Sequence, residues 1–165
     1  MTVRVQRQDF DIGAELAALS DGDTGIGGVC SFTGLVRDLH PQAGEAAGTV
    51  RALTLEHYPG MTERQLEAIE AEAWTRWPLS ACLIVHRYGR MEPGERIVLV
   101  ACASAHREAA FDACRFIMDW LKTKAPFWKL EETGSDGDRW VAARESDAAA
   151  AEGWRGRSNT IGPES

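Results

Sequence analysis

Lysine is nearly missing from this sequence. Of 18 basic residues only three are lysines, and Lys122, Lys124 and Lys129 all fall inside the single stretch LKTKAPFWKLEE. No C-x-x-C pair occurs among Cys30, Cys82, Cys102 and Cys114, so neither a zinc site nor a disulfide framework is suggested, and buried reduced thiols are expected. Cys114 is the best placed of the four to be reactive. Long apolar runs are also lacking: the longest, IVLVACA, is far too short to cross a bilayer, and MTVRVQRQDF has no signal-peptide core. A cytoplasmic protein with no membrane association is the expectation. An excess of positive charge is absent too, because the net charge is −7. The long-range field therefore repels polyanions, which argues against nucleic acid, and any anionic ligand must be captured locally.

The distribution of lysine carries a chemical meaning. An arginine stays protonated at any working pH, whereas a desolvated lysine can lose its proton and act as base or nucleophile. A chain that otherwise uses guanidinium but keeps its amines in one short stretch marks that stretch for attention.

At 165 residues with 44% hydrophobic and 26% charged side chains, the composition is that of one ordinary globular domain. TVRVQRQDF alternates like a strand, and DIGAELAALS reads as a short helix closed by DGDTG. GIGGVCSFTGLVRDL is a glycine-punctuated strand, HPQAGEAAGT a loop and VRALTLEHY the next strand. In TERQLEAIEAEAWTRW, Leu66, Ile69, Ala73 and Trp77 recur at helical spacing before Pro78, and Trp74 and Trp77 are both expected in the core. SACLIVHRYGRM and RIVLVACAS, separated by the turn EPGE, read as two consecutive strands, with His57 and His86 as structural residues on strands. A long helix follows from about Ala105 to Thr123, with Ala110, Cys114, Ile117 and Leu121 on one stripe and Arg115, Met118 and Lys122 on a neighbouring face. Pro126 ends it, and FWKLEE with RWVAAR makes a hairpin around TGSDGD. One domain is expected over residues 1–147, followed by a tail over 148–165 that is either flexible or ordered by a partner.

Candidate chemistry gathers at the two ends of the long helix. At its start, Ser104 is the expected N-cap, and His106 with Arg107 places two basic side chains where the helix dipole is positive. Either an anion of phosphate size sits among them, or Glu108 and solvent screen the pair. At its end, Lys122 and Lys124 favour the helix dipole, whereas Lys129 lies beyond the Pro126 break beside Phe127 and Trp128. Amines held near one another and near aromatic walls are suited to proton transfer or attack. Arg37, after the glycine turn in FTGLVRD, is a further basic candidate.

FTGLVRD, LTLEHYPGM, RWPL, HRYGRMEPGE, SAHREAAF, FIMDWLKTKAPFWK and DRWVAARESD occur in this order between about Gly28 and Asp147. Together they resemble the family of large, catalytic subunits of molybdopterin synthase. The resemblance implies an α+β protein, of the α/β hammerhead type with an additional antiparallel β-sheet. It also implies a homodimer that joins two small subunits in a heterotetramer. The activity implied is sulfur transfer: two sulfurs pass from the C-terminal Gly-Gly thiocarboxylate of a small ubiquitin-like subunit to cyclic pyranopterin monophosphate, forming the molybdopterin dithiolene. By the same resemblance Lys122 and Lys129 match catalytic lysines. Arg37, His106, Arg107, Lys122, Lys129, Leu130, Glu131 and Arg144 match substrate-binding positions. Phe127 and Met118 are expected to line the pocket for the donor's tail. No metal and no cofactor are expected, and since the sequence ends IGPES without Gly-Gly, the sulfur donor is expected on another chain. Two rivals remain: a non-catalytic module that docks a ubiquitin-like partner, and another phosphate-substrate enzyme that uses the lysine pair without sulfur.

Overall fold

Alternating runs become strands here, and runs with helical spacing become helices. The computed structural model describes residues 2–38, 50–125, 127–133, 139–141 and 145–155. Its elements are β1 (Val3–Gln6), α1 (Ile12–Ser20), β2 (Gly28–Leu35), β3 (Val50–His57), α2 (Met61–Arg76), β4 (Leu79–Arg87), β5 (Gly89–Met91), β6 (Arg96–Ser104), α3 (Arg107–Lys124), β7 (Phe127–Thr133), β8 (Arg139–Val141) and α4 (Glu145–Glu152). The first sheet has the order β1-β4-β6-β2, with β1 parallel to β4 and the other pairs antiparallel. The second, β5-β3-β7-β8, is antiparallel throughout. This is the expected α+β arrangement with an additional antiparallel sheet.

Covering both faces of the first sheet explains why β4 and β6 are apolar at consecutive positions instead of alternating. On one face α2 and α3 bring Leu66, Ile69, Ala73, Phe116, Ile117 and Leu121 onto Ile84, Val100 and Cys102. On the other, Phe10, Leu83, Val85, Leu99 and Ala101 form a second cluster beneath α1. Each fully buried aliphatic or aromatic side chain stabilises the fold by about 1.5–3 kcal/mol, so the two faces together fix the sheet's position. α1 itself starts where the Asp11 carboxylate accepts the Ala14 N–H at 2.8 Å.

Three details differ from the sequence reading. SACLIVHRYGRM is not one strand: the chain leaves the first sheet after Arg87, turns at Gly89 with φ +95°, and pairs with β3 in the second. A buried Arg87 holds this switch by donating to the Arg7 and Arg96 carbonyls at 3.1 and 2.9 Å and pairing with Glu95 at 3.4 Å. Without such partners a buried guanidinium would cost several kcal/mol. Trp74, expected in the core with Trp77, is 40% exposed and lends its indole N–H to Glu70 at 3.4 Å, while Trp77 is buried.

The third difference concerns the C-terminal region. α4 runs across the expected boundary at Asp147, and Ala151 and Trp154 lie in the main core. Trp154 meets Trp77 and Phe116 edge-on at 5.6 and 5.7 Å between ring centres and donates its indole N–H to Asp119 at 2.8 Å. Edge-to-face aromatic pairs of this kind contribute about 0.5–1.5 kcal/mol beyond buried area, so residues 148–155 are anchored. Residues 156–165 lie outside the described residues, as do residues 39–49 and 134–138. Among the described residues no helix is long and apolar enough to cross a membrane.

Candidate functional site

The three lysines separate into different roles once α3 is in place. Lys124 lies over the Trp120 ring at 4.1 Å from its centre, a cation–π contact that ties the helix end to the core. Lys122 sits one helical turn beyond Met118, on the face expected for Arg115, Met118 and Lys122; Arg115 and Lys122 are exposed and Met118 is half-buried against the core. The helix ends as Ala125 turns extended, and the Phe127 N–H donates to the Ala125 carbonyl at 2.8 Å. Pro126, expected to stop the helix, lies outside the described residues. β7 therefore begins immediately after the last turn that carries Lys122.

Alternation along β7 sends Phe127, Lys129 and Glu131 to one face, opposite His57, Leu55 and Leu53 of β3. That face is packed: Leu53 and Leu55 cluster with Val36 and Met91, and Glu131 is only 6% exposed. Lys129, on the same face, reaches the surface. Val36 brings Arg37 to this region, since its N–H donates to the Glu95 carbonyl at 2.8 Å and the exposed Arg37 follows directly. Leu130 takes the opposite face of the sheet, half-buried near the exposed Trp128 and Trp140, whose rings meet edge-on at 6.5 Å. Arg144 lies outside the described residues.

Phe127 joins the two sheets. Its ring stacks on His86 of β4 at 3.7 Å and 15° between planes. The His86 Nδ1 lies 2.9 Å from the Arg87 carbonyl, which can only accept, so Nδ1 carries the proton. Burial, aided by the charges of Lys129 and His57, holds the imidazole well below its ordinary range, at about 4. His86 was legible as a structural histidine; its place beneath β7 was not, because nothing in strand spacing says which residues of two sheets meet.

At the other end of α3 the expected N-cap changes. The Ser104 hydroxyl, at the end of β6, donates to the Pro78 carbonyl at 2.8 Å and accepts the His106 N–H at 3.4 Å, while His106 is the N-cap without a side-chain hydrogen bond of its own. His106 and Arg107 are both exposed, with Glu108 acidic in the first turn. Gly27 is required here: a Cβ at that position would lie 2.1 Å from the Ala105 carbonyl oxygen. Helical rise places Arg107 and Lys122, fifteen residues apart on α3, about 22 Å from each other along the axis. Lys129 and Glu131 thus share one face of β7 beside the Val36 cluster that Arg37 follows, Lys122 lies in the last turn of α3 just before that strand, and His106 with Arg107 stands at the opposite end of the helix.

The cysteines, scattered in sequence, form a row. Cys30, Cys102 and Cys82 are register partners on β2, β6 and β4, and Cys114 of α3 packs against them. The Cys82 and Cys102 sulfurs are 4.0 Å apart, and the Cys114 thiol donates to the Val100 carbonyl at 3.8 Å. Burial pushes Cys30 up to about 12, while a hydrogen bond from Cys102 lowers Cys114. Since Cys114 is only 3% exposed, it behaves as a core residue, not as the reactive thiol its sequence position allowed.

Comparison with known proteins follows the same lines. The family model described as MoaE protein matches residues 5–124. A curated relative from Pseudomonas aeruginosa, "Molybdopterin synthase catalytic subunit", is 57% identical over 154 residues, covering 93% of this chain and 99% of its own. The solved "Molybdopterin biosynthesis MoaE protein" from Burkholderia ambifaria superposes with a TM-score of 0.78 at 51% identity, covering 94% of this chain and 99% of that one. More distantly, and in fold alone, the chain resembles one in a complex of subunits 1 and 2 of Molybdopterin-converting factor from Helicobacter pylori. The TM-score there is 0.66 at 18% identity, with 88% of this chain and 92% of that chain covered.

Proposed function

The chain belongs to the MoaE protein family, and we propose that it acts as the catalytic subunit of molybdopterin synthase. It is a sulfurtransferase of molybdenum cofactor biosynthesis. The reaction moves two sulfurs from the C-terminal thiocarboxylate of a small ubiquitin-like subunit onto cyclic pyranopterin monophosphate. The observation that carries this reading to particular residues is the abrupt passage from α3 to β7, which sets Lys122 and Lys129 on consecutive elements, with Glu131 on the same strand face as Lys129. In this reading Lys122 and Lys129 are the catalytic pair. They move protons and stabilise the tetrahedral species formed as each thiocarboxylate is attacked or hydrolysed. Phe127 and Met118 line the way in for the donor's extended tail, and Arg37, Leu130, Glu131 and Arg144 complete the pterin pocket.

His106 and Arg107 supply the anion site for the cyclic phosphate, where two basic side chains at the positive end of a helix dipole favour a compensating anion. The length of α3 bears on how they take part. A pterin cannot span about 22 Å, so the substrate site is assembled from two copies, with His106 and Arg107 of one facing Lys122 and Lys129 of the other. The assembly in this reading is a homodimer carrying two small subunits in the cytoplasm. Mixing the protein with thiocarboxylated small subunit and cyclic pterin should yield the dithiolene product. Tight docking of the small subunit without product would leave only a binding module, and turnover of the pterin phosphate without sulfur would indicate another phosphate chemistry.

A further inference from the structure

His86 is a buried titratable group to which the reading above gives no task. It lies on β4 between Val5 of β1 and Val98 of β6, its side of the first sheet facing the start of β7. The ring is 9% exposed, fixed as the Nδ1–H tautomer by the Arg87 carbonyl, and laid flat against Phe127. Phe127 is the first residue of β7 and is paired with His57 of β3, whose own ring meets Tyr88 at 4.2 Å. Two residues on, and on the same face, comes Lys129.

We propose that His86 is a positioning residue for Lys129: the flat His86–Phe127 stack fixes where β7 starts and therefore where the Lys129 amine reaches. The inference rests on the reading of Lys129 as catalytic. β7 follows α3 after a connection of two residues, so its first turn of direction has little backbone length over which to absorb error. A strand advances about 3.3 Å per residue and is stiff over two residues, so a shift of Phe127 passes to Lys129 nearly undiminished. A displacement of about 1 Å at a reacting group can cost about 100-fold in rate. Charge works in the same direction. A neutral imidazole packs against a neutral ring, whereas an imidazolium there would bring a second cation close to Lys129 and His57, the two groups that already act on it electrostatically.

The test is a double-mutant cycle read by single-turnover dithiolene formation with thiocarboxylated small subunit. His86→Ala should lower the rate about 10- to 100-fold at unchanged KM for the pterin, and His86→Phe, which keeps a ring to stack, should recover most of it. In a Lys129→Ala background, His86→Ala should add no further loss, because its effect runs through the amine. A separate measurement does not depend on how His86→Ala folds: Lys129→Ala should raise the imidazole titration midpoint, followed by NMR, above the value near 4. Losses that add in the Lys129→Ala background, an equal loss in His86→Phe, an effect confined to KM, or an unmoved midpoint would each overturn the positioning role. A Lys129→Ala chain as active as the wild type would instead overturn the catalytic reading of Lys129.

Discussion

Arg107 opens α3 and Lys122 lies in its last turn, so the helix itself keeps them apart by about 22 Å. If the pterin site takes one from each of two copies, the two defects should complement. Lys122→Ala and Arg107→Ala chains are each expected to be nearly inactive alone. Mixed as dissociated subunits and reassociated, half of the dimers are hybrids in which one site is intact and the other carries both lesions, so about a quarter of the wild-type activity should return. Failure to recover any activity from an exchanged mixture would place both residues' roles within a single chain.

Lys122→Arg is expected to be nearly as inactive as Lys122→Ala, with losses of about 100-fold or more. Arginine preserves the positive charge and the favourable place at the helix C-terminus, yet it cannot release a proton at working pH or attack a carbonyl. Substantial turnover by the arginine variant would reduce Lys122 to an electrostatic anchor for the substrate.

Gly27→Ala should act at a distance on the anion site. The added methyl would lie 2.1 Å from the Ala105 carbonyl oxygen, and backbone on both sides must move to admit it. An overpacked contact of this kind costs about 1–3 kcal/mol, readable as a lowered urea midpoint. Since Ala105 immediately precedes the His106 N-cap, the pterin KM should rise more than the turnover rate falls. A destabilised variant with unchanged KM would show that the start of α3 does not hold the substrate.

Much of this fold can be read from spacing, and the exceptions share a cause. α3 was legible within two residues at each end because its apolar stripe, its basic last turn and the proline after it agree. The break between β4 and β5 was not, since only Gly89 interrupts an otherwise continuous strand pattern and a glycine's φ is not written in its neighbours. Ser104 looked like a cap because serine caps helices; it is instead the last residue of β6, its oxygen accepting the His106 N–H, and α3 starts later, after His106. The same holds at the site. The lysine stretch stood out by composition, and helix length alone separates Arg107 from Lys122. By contrast the thiol row and the His86–Phe127 stack depend on strand register and on how two sheets meet, neither of which local pattern encodes.

His86 also leaves a mark on stability that can be measured without any substrate. In the unfolded chain its imidazole has the ordinary value of 6.5, whereas burial in the fold lowers it to about 4. Above the unfolded value the ring is neutral in both states and contributes no pH dependence. As pH falls from about 6.5 towards 4, the unfolded chain takes up a proton that the folded protein refuses, so stability is lost across that window; below it both states are protonated and the loss stops. The gap corresponds to about 3 kcal/mol at most. Carboxylates titrate in the lower part of the same window, but they do so alike in wild type and in His86→Phe. Urea unfolding of both proteins between pH 7 and 4 should therefore show the wild type losing more stability than the variant on acidification, with the difference appearing below pH 6.5 and levelling near 4. Parallel curves would mean that the folded imidazole takes up its proton as readily as the unfolded one, and that the ring under Phe127 is not kept neutral.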